Sequence, residues 1–190
     1  MSGGRVFAFS VLFPRRLSRG AGGGAGLGPV RRGVLRLEPA PDPRGGRAVA
    51  RPAHLRALAD VWTSAEAAGR LPEVAAFMNA VPKFVVTRRG SVTPWENTRV
   101  TDGADLAAEV ARLRTEAAGD VAIFGSSGLT VSLLEHGLVD ALRILLHPVL
   151  LGRGHSLYAG LRDRVDLAAG AVTVFRSGNV LLRYRPSGRP

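Results

Sequence analysis

The sequence predicts a three-layer α/β/α domain built on a mixed, mostly parallel sheet that ends in an antiparallel hairpin. Two observations carry this prediction. From about Ala57 onward, short runs rich in β-branched and aromatic residues alternate with stretches of helical period, and strands that alternate with helices build parallel crossovers. The chain then closes on two runs of period two, Val172/Val174 and Val180/Leu182/Tyr184, around Ser177-Gly178-Asn179. That is a hairpin signature.

The elements follow in order. Pro72 to Met78 reads as a short helix with proline in its first turn, where a missing N–H costs nothing. Lys83 to Arg88, KFVVTR, is a strand bounded by Pro82 and Gly90. Asp105 to Thr115 sets Leu106, Val110 and Leu113 on one helical face, with Glu109 and Arg112 off it. Val121 to Phe124 is an apolar strand, and Ser127 to His136 is a helix that Gly137 can cap. Ala141 to Val149 is another strand, whose Pro148 marks an end or an edge.

The first 56 residues lack such a pattern. An apolar start, VFAFSVLF, runs into RRLSRGAGGGAGLGPVRRG and PAPDPRGGR, which have the composition of turns and disorder. The charge is uneven in the same way: residues 1–60 hold 11 Arg and 3 acids, whereas residues 61–190 hold 15 Lys and Arg and 12 acids, within a net +11. Lys83 is the one lysine.

A length of 190 residues favours one domain with a sizeable core. The absence of cysteine excludes disulfides and thiolate metal sites. No apolar run approaches the length of a membrane span.

The most informative stretch is VAIFGSSGLTVSLLEHGLVD, Val121 to Asp140. A strand that ends in small residues and feeds a helix start presents unpaired amides to an anion, and Gly125, Ser126 and Ser127 stand at that point. A plain N-cap is the alternative. The loop is no Walker A motif, because no Gly-Lys-Ser/Thr follows, and the G-x-G-x-x-G candidate from Gly152 has Leu157 in its third glycine slot. There is no Gly-x-Ser-x-Gly for a serine hydrolase. His136, His147 and His155 lack metal-ligand spacing. Trp62, Trp95 and Phe77 read most simply as core, with an approach of Trp62 to a substrate cleft as the alternative.

FVVTR followed by Trp95-Glu96-Asn97, then VAIFGSSGLTVSLLEHGLVDALRILLHPVLLGRGHSLYAGL, then FRSGNVLLRYR resembles the dihydrofolate reductase-like superfamily, in the branch of the bacterial riboflavin-biosynthesis reductase domain. The resemblance covers about residues 57–186. It implies a cytoplasmic, homodimeric reductase that transfers a hydride from NADPH to a small polar substrate. It also implies that Gly125, Ser126, Ser127 and Leu129 hold the pyrophosphate, and that Thr87 and Arg88 lie near the 2′-phosphate. A forked guanidinium suits such a dianion; a solvated Arg88–Arg89 loop is the alternative. Asp140 and Arg143 read as structural or as part of a subunit contact. No catalytic residue is assigned, and neither nucleic acid nor membrane is expected as a partner.

The family's Ser-Leu-Asp-Gly and Gly-Arg-x-Thr-Tyr-Glu motifs are missing. Where the second belongs stands RPAHLR, Arg51 to Arg56. Written as CGG CCG GCG CAC CTA CGA and read one nucleotide later, it gives G-R-R-T-Y-E. The same shift from Arg44 permits A-G-A-E-L-L-L upstream, and Phe13 to Gly24 can encode S-L-D-G-F-x-E-A-P-G-G. Residues from about 12 to 56 are therefore expected to be out of frame and poorly ordered, and the chain's activity is uncertain on that account. A natural Arg/Gly-rich arm that binds nucleic acid is the alternative, although its aromatics, Phe7, Phe9 and Phe13, all cluster at its start. A catalytically dead family member is another. A targeting role is disfavoured, because the arm is poor in serine and has no sustained amphipathic period.

Overall fold

The computed structural model describes residues 4–12, 47–88, 92–117, 119–124, 127–150 and 156–187. In chain order these form β1 (Val6–Leu12), β2 (Arg47–Ala50), α1 (Pro52–Trp62), α2 (Ala65–Arg70), α3 (Pro72–Ala80), β3 (Lys83–Val86) and β4 (Thr98–Thr101). Then come α4 (Leu106–Glu116), β5 (Val121–Phe124), α5 (Ser127–Glu135), β6 (Ala141–Leu146), β7 (Leu167–Val174) and β8 (Val180–Pro186).

One eight-stranded sheet runs in the order β4-β3-β2-β5-β1-β6-β8-β7. Strands β4 to β6 of that order are parallel, while β8 and β7 are antiparallel. This is the predicted three-layer fold with its mixed sheet and closing hairpin. Gly178, at φ +82°, turns the hairpin, a conformation that suits glycine.

The layers follow from crossover handedness. The connection from β2 to β3 steps toward one edge of the sheet, whereas those from β4 to β5 and from β5 to β6 step toward the other. Right-handed crossovers therefore put α1–α3 on one face and α4 and α5 on the opposite one. The two cores agree with this. Leu55, Ala59, Trp62, Phe77 and Met78 pack with Ala48 and Val85, and Val110, Leu113, Leu129 and Leu133 pack with Val49, Phe84, Ile123 and Leu142.

Regular structure starts earlier than the sequence pattern suggests. Strand β2 lies between β3 and β5, and α1 begins at Pro52, both inside the stretch expected to be irregular. Ala48, Val49 and Ala50 are buried, but alanine carries little strand signal. Residues 13–46, including the Phe13 to Gly24 reading, lie outside the described residues.

Two polar clusters tie the ends of the sheet elements. At the N-terminal ends of β1, β5 and β6, Asp140 accepts from the Val6 amide at 2.6 Å and pairs with Arg114 at 2.8 Å. Beside it, Arg143 lies over the Phe7 ring at 3.6 Å and 3.5 Å from Asp120. Asp140 and Arg143 thus brace the start of the parallel strands. Under the α1–α3 layer, the ammonium of Lys83, 3% exposed, donates to the carbonyls of Asn79, Val81 and Glu96 at 2.9–3.0 Å. It sits 4.3 Å from the centre of the Trp95 ring. Trp95 in turn donates to Asn79, whose amide holds the Trp62 and Ala75 carbonyls.

Candidate functional site

The C-terminal ends of the parallel strands form one edge, and the sheet order decides which segments meet there. Ala50 of β2 lies opposite Val85 of β3, and Val49 lies opposite Ile123 of β5. The residues that follow these strands are therefore neighbours: Thr87 and Arg88 after β3, Arg51 after β2, and Ser127 at the start of α5 after β5. Open α/β sheets bind ligands outside the carboxyl ends of their strands.

Helix starts distinguish this edge from the rest of the molecule. α2, α3 and α4 each carry an acid in the first turn, Glu66, Glu73 and Glu109, and α2 and α4 are also capped by Ser64 and Asp105. α1 and α5 have no acid there, and Arg51 makes no side-chain cap. Two helix N-termini thus leave adjacent strands without a first-turn carboxylate to neutralise their positive dipole ends. An anion placed between them meets the amides that open α5 and, from α1, that of Ala53, because Pro52 has no N–H and the His54 amide donates to the Arg51 carbonyl at 3.0 Å; Arg88 is exposed beside them.

The predicted site residues divide accordingly. Ser127, half-buried, opens α5; Leu129 is 1% exposed and its side chain packs into the core, which leaves only its backbone to face a ligand. Thr87 follows β3 and donates its amide to the Thr101 carbonyl at 2.8 Å, which leaves the residue half-buried beside exposed Arg88. Gly125 and Ser126 lie outside the described residues, as do Arg89 and His155. The hydroxyl of Thr130, one turn into α5, is buried without a hydrogen-bond partner.

Arg51 is the site residue that sequence reasoning did not single out. Its placement needs the β2–β5 adjacency, which no local pattern encodes. The other side chains weighed as functional stand elsewhere. Trp62 is buried at the far end of α1, roughly 15 Å along the helix from the edge, so it belongs to the core rather than to a cleft. Trp95 and Phe77 are core as expected. His136 contacts the Ser132 carbonyl through Nδ1, and burial at the end of β6 lowers the pKa of His147. Among the described residues no group of acids and histidines could hold a metal ion, and no helix is long and apolar enough to cross a membrane.

The floor of the edge is tightly built at Gly103. Its φ is +70°, and a Cβ there would come within 2.5 Å of Val86 Cγ1. Gly103→Ala combines left-handed strain with a clash against β3. It should cost about 1–3 kcal/mol of stability, read as a shift of the urea midpoint at unchanged slope.

Comparison with known proteins agrees with the fold. The family model described as the RibD C-terminal domain matches residues 55–181. The uncharacterized protein YyaP of Bacillus subtilis (strain 168) is 29% identical over 93 residues, which is 49% of this chain and 50% of that protein. This chain therefore spans about half the length of that relative. Among solved structures, a diaminohydroxyphosphoribosylaminopyrimidine deaminase/5-amino-6-(5-phosphoribosylamino)uracil reductase from Thermotoga maritima superposes with a TM-score of 0.67 at 16% identity, covering 97% of this chain and 57% of that one. Dihydrofolate reductase from Enterococcus faecalis, complexed with NADP(H) and RAB-propyl, gives a TM-score of 0.55 at 12% identity, covering 98% of this chain and 99% of that one.

Proposed function

Because the chain belongs to the RibD C-terminal domain family, we propose that it is built as an NADPH-dependent reductase of the riboflavin-biosynthesis type, acting on a small polar substrate such as 5-amino-6-(5-phosphoribosylamino)uracil. The observation that carries this reading is the pair of acid-free helix starts, α1 and α5, leaving neighbouring strands beside exposed Arg88. That arrangement fits a dinucleotide with two clusters of negative charge. When bound, NADPH supplies the hydride.

The chain's own residues bind and orient. The amides of Ser127, Gly128 and Leu129, with those of Gly125 and Ser126, hold the diphosphate at the start of α5, and the Ser127 hydroxyl adds a donor. Arg51 and Arg88 bracket the 2′-phosphate with Thr87. The apolar side chains behind them, Leu129 and Ile123 among them, give the site a dry, fixed floor.

The frame reading belongs to the same proposal. In the shifted frame, positions 47–50 read Glu-Leu-Leu-Leu and positions 51–56 read Gly-Arg-Arg-Thr-Tyr-Glu. Those positions coincide with β2 and with the opening of α1. Shifted side chains would fill a central strand now occupied by Ala48 and Ala50, and would keep arginine at the same helix start. The gene's DNA sequence tests this: a shifted frame that encodes neither motif removes the idea. On this reading residues 1–190 form one domain, cytoplasmic and homodimeric, with residues 57–186 as its family-like part.

The binding test is calorimetric titration of NADPH and NADH into the chain and into its frame-restored form. Arg88→Ala should weaken NADPH roughly ten- to a hundredfold, the worth of one or two charge-assisted hydrogen bonds, and leave NADH unchanged. Equal loss for both nucleotides removes Arg88 from 2′-phosphate recognition. If neither form binds either nucleotide, the reductase reading falls.

A further inference from the structure

Apolar exposure in this molecule is concentrated in one place. Of the exposed large hydrophobic side chains among the described residues, Val149, Leu150, Leu167, Val172 and Val174 all belong to the antiparallel end of the sheet or the segment that leaves it, and Val100 alone stands elsewhere. Val172 and Val174 are 62% and 71% exposed. They continue two cross-strand rows, Ile144–Leu182–Val172 and Leu146–Val180–Val174. Both rows end exposed on β7 after buried or half-buried residues on β6 and β8.

The backbone of β7 points the same way. Among the described residues β7 is the outermost strand, paired with β8 and nothing beyond it. The Phe175 amide bonds the Asn179 carbonyl at 2.9 Å, which makes that pair hydrogen-bonded. By antiparallel alternation Thr173↔Leu181 is hydrogen-bonded too, and Val174↔Val180 and Val172↔Leu182 are not. The amides and carbonyls of Val172 and Val174 therefore face the open edge. Leu167–Val174 contains no charge and no proline, two of the devices that usually guard such an edge; a third, a β-bulge, lies between Ala169 and Val172 and stops short of the Val172–Val174 stretch. The opposite edge is guarded: β4 is four residues long and carries Arg99, paired with Glu116.

We propose that the β7 edge is the contact surface for a second copy of this chain, joined antiparallel about a two-fold axis at Thr173, so that the two sheets run on as one. This rests on the homodimer reading above and specifies its interface. The register satisfies both outward residues at once. Val172 of one copy exchanges two backbone hydrogen bonds with Val174 of the other, and the reverse pair does the same, as an isologous contact requires. It sets the four valines on one face, continuous with Val180 and Leu182. Arg176 then lies opposite Gly170 and meets no like charge. Arg183 is held to the Thr173 hydroxyl at 3.0 Å, on the other face. Val172 and Val174 supply about a quarter of the roughly 800 Å² that each partner in a stable pair buries, and the paired strand adds its backbone.

The experiment is sedimentation of the full chain and two variants. The wild-type 20.0 kDa chain should sediment at twice that mass. Val172→Lys combined with Val174→Lys should halve it, with an unchanged circular dichroism spectrum and a cooperative melt, because both side chains already face solvent. Thr173→Cys should cross-link into a disulfide dimer under mild oxidation, since the chain has no other cysteine and the axis brings the two residues 173 to about 4.5 Å between Cα atoms. Leu167→Cys, outside the pairing, should not. A dimer that survives the double lysine change and does not cross-link through residue 173 overturns this interface and leaves the homodimer reading standing. A monomeric wild type overturns both, and one with exchange-protected Val172 and Val174 amides assigns the edge to another part of the same chain.

Discussion

Replacing Lys83 with alanine is expected to lower the unfolding free energy by about 3 kcal/mol, a large share of the roughly 5–15 kcal/mol that holds a domain together. The terms oppose one another. Loss of the ammonium strands three buried carbonyls, those of Asn79, Val81 and Glu96, at about 1 kcal/mol each. It also removes the cation from the Trp95 face, worth about 1–2 kcal/mol when desolvated, and opens a cavity worth about 2 kcal/mol. Against these stands the relief of a buried charge, on the order of 3 kcal/mol for the lowering of its pKa to about 8. Denaturant melts of wild type, Lys83→Ala and Lys83→Met check this. Methionine refills the cavity while leaving the carbonyls stranded, so it should recover about half of the loss. An alanine variant as stable as wild type would show that the three carbonyls find water instead.

The second large effect is a stability maximum near pH 10. Burial pulls the Lys83 ammonium down to about 8, with the charge of Glu96 opposing, whereas in the unfolded chain a lysine titrates near 10.4. Between these values unfolding takes up a proton, so stability rises with pH, by on the order of 3 kcal/mol across the window. Burial acts on Tyr158 in the other sense and pushes its phenol up to about 12. An unfolded tyrosine ionises from about pH 10, so unfolding releases a proton between 10 and 12 and stability falls there. Urea midpoints from pH 7 to 12 should climb and then drop. Lys83→Met should flatten the rising limb, and Tyr158→Phe the falling one. The latter should also be neutral or stabilising at pH 7, because the Tyr158 hydroxyl is buried without a partner. A profile that falls steadily from pH 8 contradicts the assignment.

Elements that bury one full face or both were legible. Val121–Phe124 reads as a central strand because its first three residues are interior, and the closing hairpin reads from its alternation and turn. Elements whose burial rests on small side chains were not. β2 is Arg-Ala-Val-Ala, and α1 shows its helical spacing only through Leu55, Ala59 and Trp62, one of them an alanine. β4 escaped because an edge strand of four residues, with Arg99 and Val100 exposed, looks like a loop. In the site, Ser127 and Arg88 were visible because each ends a recognisable strand–turn unit. Arg51 was not, because its value lies in which strand stands next to which.

The burial of Lys83 also sets the covalent chemistry of the surface. The chain's one lysine is closed off beneath the α1–α3 layer, so the folded protein offers acylating reagents no side-chain amine. Esters, aldehydes and amine cross-linkers can reach that nitrogen after the layer opens, and the rate at which they mark it is a direct clock for that opening.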